Sequence, residues 1–148
     1  MIYLELMENK NKYEKLVEFV EKLKSTNDPK RKYEFILWLG KKLPSPSEEI
    51  LIPKYKVKGC VSEVYVKGLL RQGKIYWEGY SDALITKGLL SFLINGLNGL
   101  SPEEILTLNN DFIDATGLKK SLTPSRSNGF LNILIKMKSQ ANEILSSQ

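Results

Sequence analysis

Residues 81–97, which read SDALITKGLLSFLINGL, decide the fold that this sequence predicts. Ser81 is a favourable N-cap, and Asp82 adds a favourable charge in the first helical turn. The following apolar residues cover most of the circumference of a helix, a pattern that is typical of a helix buried on nearly all sides. Gly88 costs about 1 kcal/mol relative to alanine in a helix interior, which indicates close packing against a neighbour. We therefore predict a central buried helix that ends at the Asn-Gly breakers of residues 95–99.

The residues before this helix predict antiparallel strands. A short extended segment at 55–58 leads to Gly59-Cys60, and a longer segment at 61–70 alternates apolar and polar side chains. Residues 71–74 contain a glycine and read as a hairpin connection to a further strand at 75–80. Because the connections are short, the strands are predicted to form a three-stranded antiparallel meander.

Further helices are predicted on both sides of this unit. Apolar spacing predicts a helix at 12–24, and Asp28-Pro29 caps and opens another that approaches residue 40. Prolines break a linker at 41–53. After the central helix come a capping box at 101–104, a short helix near 111–116 and a final helix at about 124–144, capped by Thr123. The predicted fold class is α+β, with a three-stranded antiparallel sheet and helices packed mainly on one face. Residues 1–148 are predicted to form one domain, with residues 1–10 as a loosely ordered N-terminal extension.

Composition excludes several classes of function. The 148 residues include one cysteine and no histidine. This excludes a disulfide framework or chelating cysteine cluster within the chain, a Ser-His-Asp triad, a Cys-His pair and a histidine-ligated metal site. No apolar run approaches the ~20 residues that span a bilayer, and no signal layout opens the chain. We expect no membrane association, no metal, no cofactor and a reducing cytoplasmic location.

The net charge of +5 raises the hypothesis of a nucleic-acid binder. The lysines and arginines are scattered among acidic residues, with no basic run of five or more. Charge therefore gives little support to a nucleic-acid partner, and salt-dependent binding to DNA or RNA would be its test.

Cys60 is the candidate functional residue. Gly59 can adopt a positive φ, so Cys60 is predicted at or beside a turn between extended segments, where a loop can present a thiol. The alternative is a small buried hydrophobe that only packs. Arg126, in the first turn of the final helix, could favour the thiolate, or could be a surface arginine in a local salt bridge. Asp82 could act near the thiol or could be only a first-turn charge on the central helix.

Three separated motifs resemble one known family. The stretch VKGCVSEV at 57–64 looks like the active-cysteine motif of the SufE family of sulfur-acceptor proteins. Residues 81–89, SDALITKGL, resemble the segment that opens the central helix of that family, and LTPSRSNG at 122–129 resembles its C-terminal signature. The resemblance covers about residues 13–141, with the motifs in family order, and is nearest to cyanobacterial and plastid members.

The resemblance implies a carrier of sulfane sulfur in iron–sulfur cluster assembly. Cys60 would accept sulfur from the persulfide of a pyridoxal-phosphate-dependent cysteine desulfurase, stimulate that enzyme, and deliver the sulfur to an iron–sulfur scaffold. Such a protein is a sulfur-transfer partner and activator rather than a stand-alone enzyme. Arg126 and Asp82 would support Cys60. The alternative function is a non-catalytic interaction module with a structural cysteine, which predicts slow, denaturant-dependent alkylation of Cys60.

Overall fold

The computed structural model of the chain describes residues 3–148. This part contains seven α-helices and one two-stranded antiparallel sheet, so the α+β class is confirmed. The helices are α1 (Tyr3–Glu8), α2 (Glu14–Lys24), α3 (Pro29–Lys42), α4 (Leu84–Leu97), α5 (Pro102–Thr107), α6 (Phe112–Ala115) and α7 (Pro124–Ser146). The strands are β1 (Val64–Arg71) and β2 (Lys74–Ser81), and single 3₁₀ turns lie at Glu48–Ile50, Pro53–Tyr55 and Leu118–Lys120.

Helix α4 is the centre of the core, as the apolar pattern predicted. Leu89 and Leu93 are fully buried, and the helix packs against α2, α3, α7 and β2. A Cβ atom built on Gly88 would lie 2.0 Å from the carbonyl oxygen of Ile36 in α3. The backbones of α3 and α4 therefore touch at Gly88, which confirms the predicted close packing.

The start of α4 differs from the prediction. Its N-cap is Ala83, and Ser81 is the last residue of β2. The Ser81 hydroxyl accepts a hydrogen bond from the Ala83 backbone N–H at 3.3 Å. Strand pairing reaches as far as Ser81, which pairs with Val64, so the helix can begin only after the chain has left the sheet. Asp82 consequently lies in the strand-to-helix connection and not in the first turn of α4.

The sheet buries one face. Val64 and Val66 of β1 and Ile75 and Trp77 of β2 are buried, whereas the alternate residues face outward. Helix α4 packs on β2, where a Cβ on Gly79 would lie 2.7 Å from side-chain atoms of α4, and α7 packs on β1. Both helices pack on the buried face of the sheet, which agrees with the predicted arrangement of helices mainly on one face.

The predicted third strand at 55–58 is wrong. Tyr55 ends a 3₁₀ turn, and Lys56 makes only an isolated antiparallel bridge to Tyr65. Past the Val57 N–H, which donates to the Val64 carbonyl at 2.8 Å, the free edge of β1 is satisfied by the buried side chain of Gln140 in α7. Its amide donates to the carbonyl of Val66 at 2.7 Å and accepts from the N–H of Gly68 at 2.9 Å. A side chain from α7 thus takes the edge positions that a third strand would need.

The N-terminal residues include a short helix that packs on α2. Residues 3–8 form α1, in which Leu6 is buried. The Tyr3 hydroxyl donates to a carboxylate oxygen of Glu21 in α2 at 2.8 Å. The helix thus lies within the segment that the sequence predicted as a loosely ordered extension, and residues 1–2 lie outside the described part.

Three predicted helix starts are confirmed by their cap contacts. Asp28 accepts from the backbone N–H of Lys30, and Thr123 accepts from that of Arg126. Ser101 and Glu104 form a reciprocal capping box at the start of α5. Each cap satisfies N–H groups that a helix end leaves without intrahelical partners.

Candidate functional site

Cys60 lies in the loop that leads from the Pro53–Tyr55 turn into β1. Gly59 has a φ of +78°, which turns the chain immediately before the cysteine as the sequence predicted. The side chain is half-buried, and its Sγ lies 3.9 Å from the carbonyl oxygen of Gly129 in α7. The thiol is therefore sheltered at a loop and is not an interior core residue.

An open cleft of about 490 Å³ lies in front of this thiol. Three segments build it: the cysteine loop, the connection that opens α4, and the first turns of α7. The cleft brings together Cys60, Asp82 and Arg126, the three candidate residues that the sequence had placed on separate segments. Its lining residues are Cys60, Val61, Ser62, Asp82, Ala83, Thr86, Thr123, Ser125, Arg126 and Gly129.

Asp82 ties the cysteine loop to the start of α4. Its carboxylate accepts from the backbone N–H of Glu63 at 3.0 Å, and its own N–H donates to the Glu63 carbonyl at 3.3 Å. The hydroxyls of Ser62 and Thr86 lie 3.2 Å apart and add a second link between the same segments. Asp82 is thus more than a helix-end charge, because it holds the segment that carries the cysteine.

Arg126 lies in the first turn of α7 with an exposed side chain. Within residues 3–148 no salt bridge includes its guanidinium, so the local ion pair considered from the sequence is absent. The guanidinium is therefore available to an anion that enters the cleft.

Burial raises the pKa of the Cys60 thiol, because a partly desolvated site disfavours the charged thiolate. Lys56, four residues before Cys60, is paired with a carboxylate. The Lys56 ammonium lies 3.1 Å from the Glu63 carboxylate, which also accepts from the Tyr65 hydroxyl at 2.9 Å. The isolated chain therefore favours the protonated thiol.

Sequence reasoning missed Asn132, which contacts the loop from α7. Its side-chain amide donates to the Gly59 carbonyl at 3.1 Å. Asn132 lies beyond the motif at 122–129, and only helical spacing could have indicated it. A residue three positions after Gly129 shares its helix face, and Gly129 contacts Cys60.

Among residues 3–148, no group of three or more His, Cys, Asp or Glu side chains is arranged to hold a metal ion. No helix in that range is both long and apolar enough to cross a bilayer.

Comparison with known proteins identifies the family. Residues 7–141 match the family model for SufE, described as an Fe–S metabolism associated domain. The chain belongs to the SufE family. A SufE-like protein of Synechocystis is 52% identical over 126 residues, which cover 85% of this chain and 79% of that protein.

Two further SufE relatives are longer than this chain. The Plasmodium vivax protein named cysteine desulfuration protein SufE is 44% identical over 140 residues, which cover 92% of this chain but 55% of that protein. The Arabidopsis thaliana SufE-like protein 1, named chloroplastic/mitochondrial, is 40% identical over 86% of this chain and 34% of its own length. A solution structure of a hypothetical protein from Thermus thermophilus superposes with a TM-score of 0.77 at 25% identity, covering 89% of this chain and 96% of that one.

Proposed function

We propose that this SufE-family chain accepts sulfur from a cysteine desulfurase onto Cys60 and stimulates that enzyme. The observation that carries the proposal is the position of the single thiol. Cys60 lies on a loop at an open cleft that Arg126 also lines, with no salt bridge to its guanidinium within residues 3–148, in a chain without another cysteine. The SufE relatives named cysteine desulfuration proteins support the same role.

The transfer is a thiol exchange on a persulfide. The Cys60 thiolate attacks the outer sulfur of a persulfide carried by the desulfurase. A bond forms between Cys60 Sγ and that outer sulfur, while the sulfur–sulfur bond of the desulfurase persulfide breaks. Its electron pair stays on the desulfurase cysteine as a thiolate, so the step needs no external oxidant or reductant. Cys60 then carries the persulfide.

A sulfur carrier benefits from a single thiol. A second cysteine nearby would attack the Cys60 persulfide and convert it to a disulfide. Shelter against α7 would protect the reactive sulfur from oxidants, which otherwise drive thiols up the oxidation ladder. We propose an iron–sulfur assembly scaffold as the recipient and a pyridoxal-phosphate-dependent enzyme as the donor. We also propose a cytoplasmic location, because a reducing compartment keeps the carrier thiol available.

Arg126 and Asp82 are proposed as supporting residues. The Arg126 guanidinium would stabilise anionic sulfur in the cleft, since a nearby cation favours thiolate and persulfide anions. Asp82 would hold the cysteine loop through its two hydrogen bonds to Glu63. Both therefore act around Cys60, which alone bonds to the transferred sulfur.

The desulfurase is proposed to dock at the mouth of the cleft. Two large apolar side chains are exposed in its lining or next to it in the chain. Val61 follows the cysteine and is 91% exposed, and Leu84 follows a cleft residue and is 73% exposed. Contact with a partner would bury both side chains and would draw the half-buried thiol into the joint site.

Intact-mass measurement tests the proposal. Incubation with a cysteine desulfurase and free cysteine should add one sulfur (~32 Da) to the wild-type chain, and a reductant should remove it. Cys60→Ser should stay unchanged in mass while retaining the wild-type thermal midpoint. An unchanged mass in the wild-type chain, with a desulfurase proven active on its own substrate, would contradict the proposal. That outcome would favour a non-catalytic interaction module with a structural cysteine.

A further inference from the structure

Helix α7 contacts the cysteine loop at two positions on one face. Gly129 brings its carbonyl oxygen to 3.9 Å from Cys60 Sγ, and Asn132 donates to the Gly59 carbonyl at 3.1 Å. Residues three apart on a helix are neighbours on its surface. The helix therefore fixes both the thiol and the peptide group just before it.

Asn132 lies directly over the turn that orients the cysteine. A Cβ atom built on Gly59 would lie 2.5 Å from the Asn132 amide nitrogen, so the two residues are in close contact. Gly59 itself has a φ of +78°, and glycine gives the backbone little intrinsic preference for that conformation over others. The direction of the Gly59 carbonyl therefore depends on contacts from outside the loop, and Asn132 provides one.

We propose that Asn132 is a positioning residue that holds the Cys60 thiol turned in against α7. Its amide fixes the carbonyl of Gly59, and the Gly59–Cys60 peptide in turn directs the cysteine side chain towards Gly129. Loss of the amide frees the peptide to rotate, and the thiol spends more time outward. If the chain carries sulfur as proposed above, Asn132 determines what fraction of the molecules hold the Cys60 thiol in the sheltered position.

Alkylation of the free protein tests this inference without a desulfurase. Asn132→Ala should react with iodoacetamide roughly 2- to 10-fold faster than wild type under native conditions, the range expected when one hydrogen bond holds the closed form. Asn132→Leu keeps a similar side-chain volume but has neither a donor nor a charge, so it should be at least as fast. Asn142→Ala is the matched control, because Asn142 is exposed on the same helix and far along it from the loop.

Two readouts separate positioning from a general loss of stability. The faster alkylation should be independent of low denaturant concentrations, and the thermal midpoints of the three variants should lie within about 4 °C of one another, the shift expected for one hydrogen bond. The pH midpoint of alkylation should fall in Asn132→Ala towards that of an unfolded cysteine, because an outward thiol is better solvated. The charged residues that line the cleft, Asp82 and Arg126, are unchanged in these variants and so cannot cause the shift.

Wild-type alkylation rates in both Asn132 variants would overturn the inference, as would rates that rise only in parallel with global unfolding. The two proposals can fail separately. If wild type gains sulfur but the Asn132 variants alkylate normally, only the positioning role is wrong. If the variants alkylate faster but no chain gains sulfur, only the sulfur-acceptor function is wrong.

Discussion

The contact between α3 and α4 and the cleft at Cys60 are built in opposite ways. At the first, glycine backbones meet without intervening side chains, and a Cβ on Gly88 would lie 2.0 Å from the Ile36 carbonyl oxygen. At the second, a Cβ on Gly129 would lie 3.6 Å from Cys60 Sγ, an ordinary van der Waals distance. Both glycines are inside helices, but only the first has no room for a methyl group.

The difference distinguishes the contacts that stabilise the whole fold from the contacts that position the Cys60 thiol. The α4 core consists of fully buried apolar side chains whose loss affects the whole fold. The cysteine loop is held by two hydrogen bonds between Asp82 and Glu63 and by one from Asn132 to Gly59, and each is worth only about 1 kcal/mol. Changes in the first region should therefore alter global stability, and changes in the second should alter the reactivity of Cys60 at nearly constant stability.

The largest effect is expected for a charge in the centre of α4. Leu93→Asp would bury an unpaired carboxylate in a site with no exposure, at a cost of several kcal/mol. Because whole domains are stable by about 5–15 kcal/mol, the variant should be largely unfolded by circular dichroism. Leu84→Asp, at an exposed position of the same helix, should change the free energy of unfolding by less than about 0.5 kcal/mol. Equal stability of the two variants would contradict the central position of α4.

Gly88→Ala should have the next largest effect. The added methyl group meets backbone atoms of α3, which cannot move aside as a flexible side chain could. Separation of the two helices should lower the free energy of unfolding by about 3 kcal/mol, measured by chemical denaturation. A loss below about 1 kcal/mol would mean that the α3–α4 contact can relax, and the contrast with the cleft would disappear.

Gly129→Ala tests the opposite side of the comparison with the same substitution. Here the methyl group has room, and alanine is favoured over glycine in a helix by about 1 kcal/mol. The free energy of unfolding should rise by up to that amount, while the new methyl group lies against the thiol and slows alkylation of Cys60. A destabilised variant would show that the first turns of α7 are packed as tightly as the α3–α4 contact.

Local sequence patterns were sufficient for the elements that depend on neighbouring residues. The apolar circumference of α4 predicted its burial, and the caps at Asp28, Ser101 and Thr123 marked three helix starts. Each of these features depends on contacts within about one helical turn, or on an overall need for burial. The sequence motifs likewise identified Cys60, Asp82 and Arg126 as candidate residues, and the structure places all three in one cleft.

Contacts between distant residues explain the predictions that failed. Gln140 occupies the edge of β1 at Val66 and Gly68 from more than 70 residues away, so the pairing at Lys56 cannot continue as a third strand. Asn132 reaches Gly59 across 73 residues, so no local pattern around the cysteine indicates it. Serine is favoured at N-caps, but Ser81 pairs with Val64 and is therefore the last residue of β2.

The smallest predicted effect concerns the pH dependence of Cys60. Burial raises its pKa, so alkylation of the folded chain should reach half its maximal rate at a higher pH than alkylation of the same chain in denaturant. As pH rises above the ordinary thiol range, the unfolded chain loses its proton while the folded chain keeps it. The folded state then binds more protons, and its stability should fall with increasing pH in that window. A midpoint at or below that of the unfolded chain would show that Arg126 and the N-terminus of α7 outweigh burial in the cleft. The thiol would then be held ready as a thiolate before any partner binds, and the cleft would differ from the α4 core in charge as well as in packing.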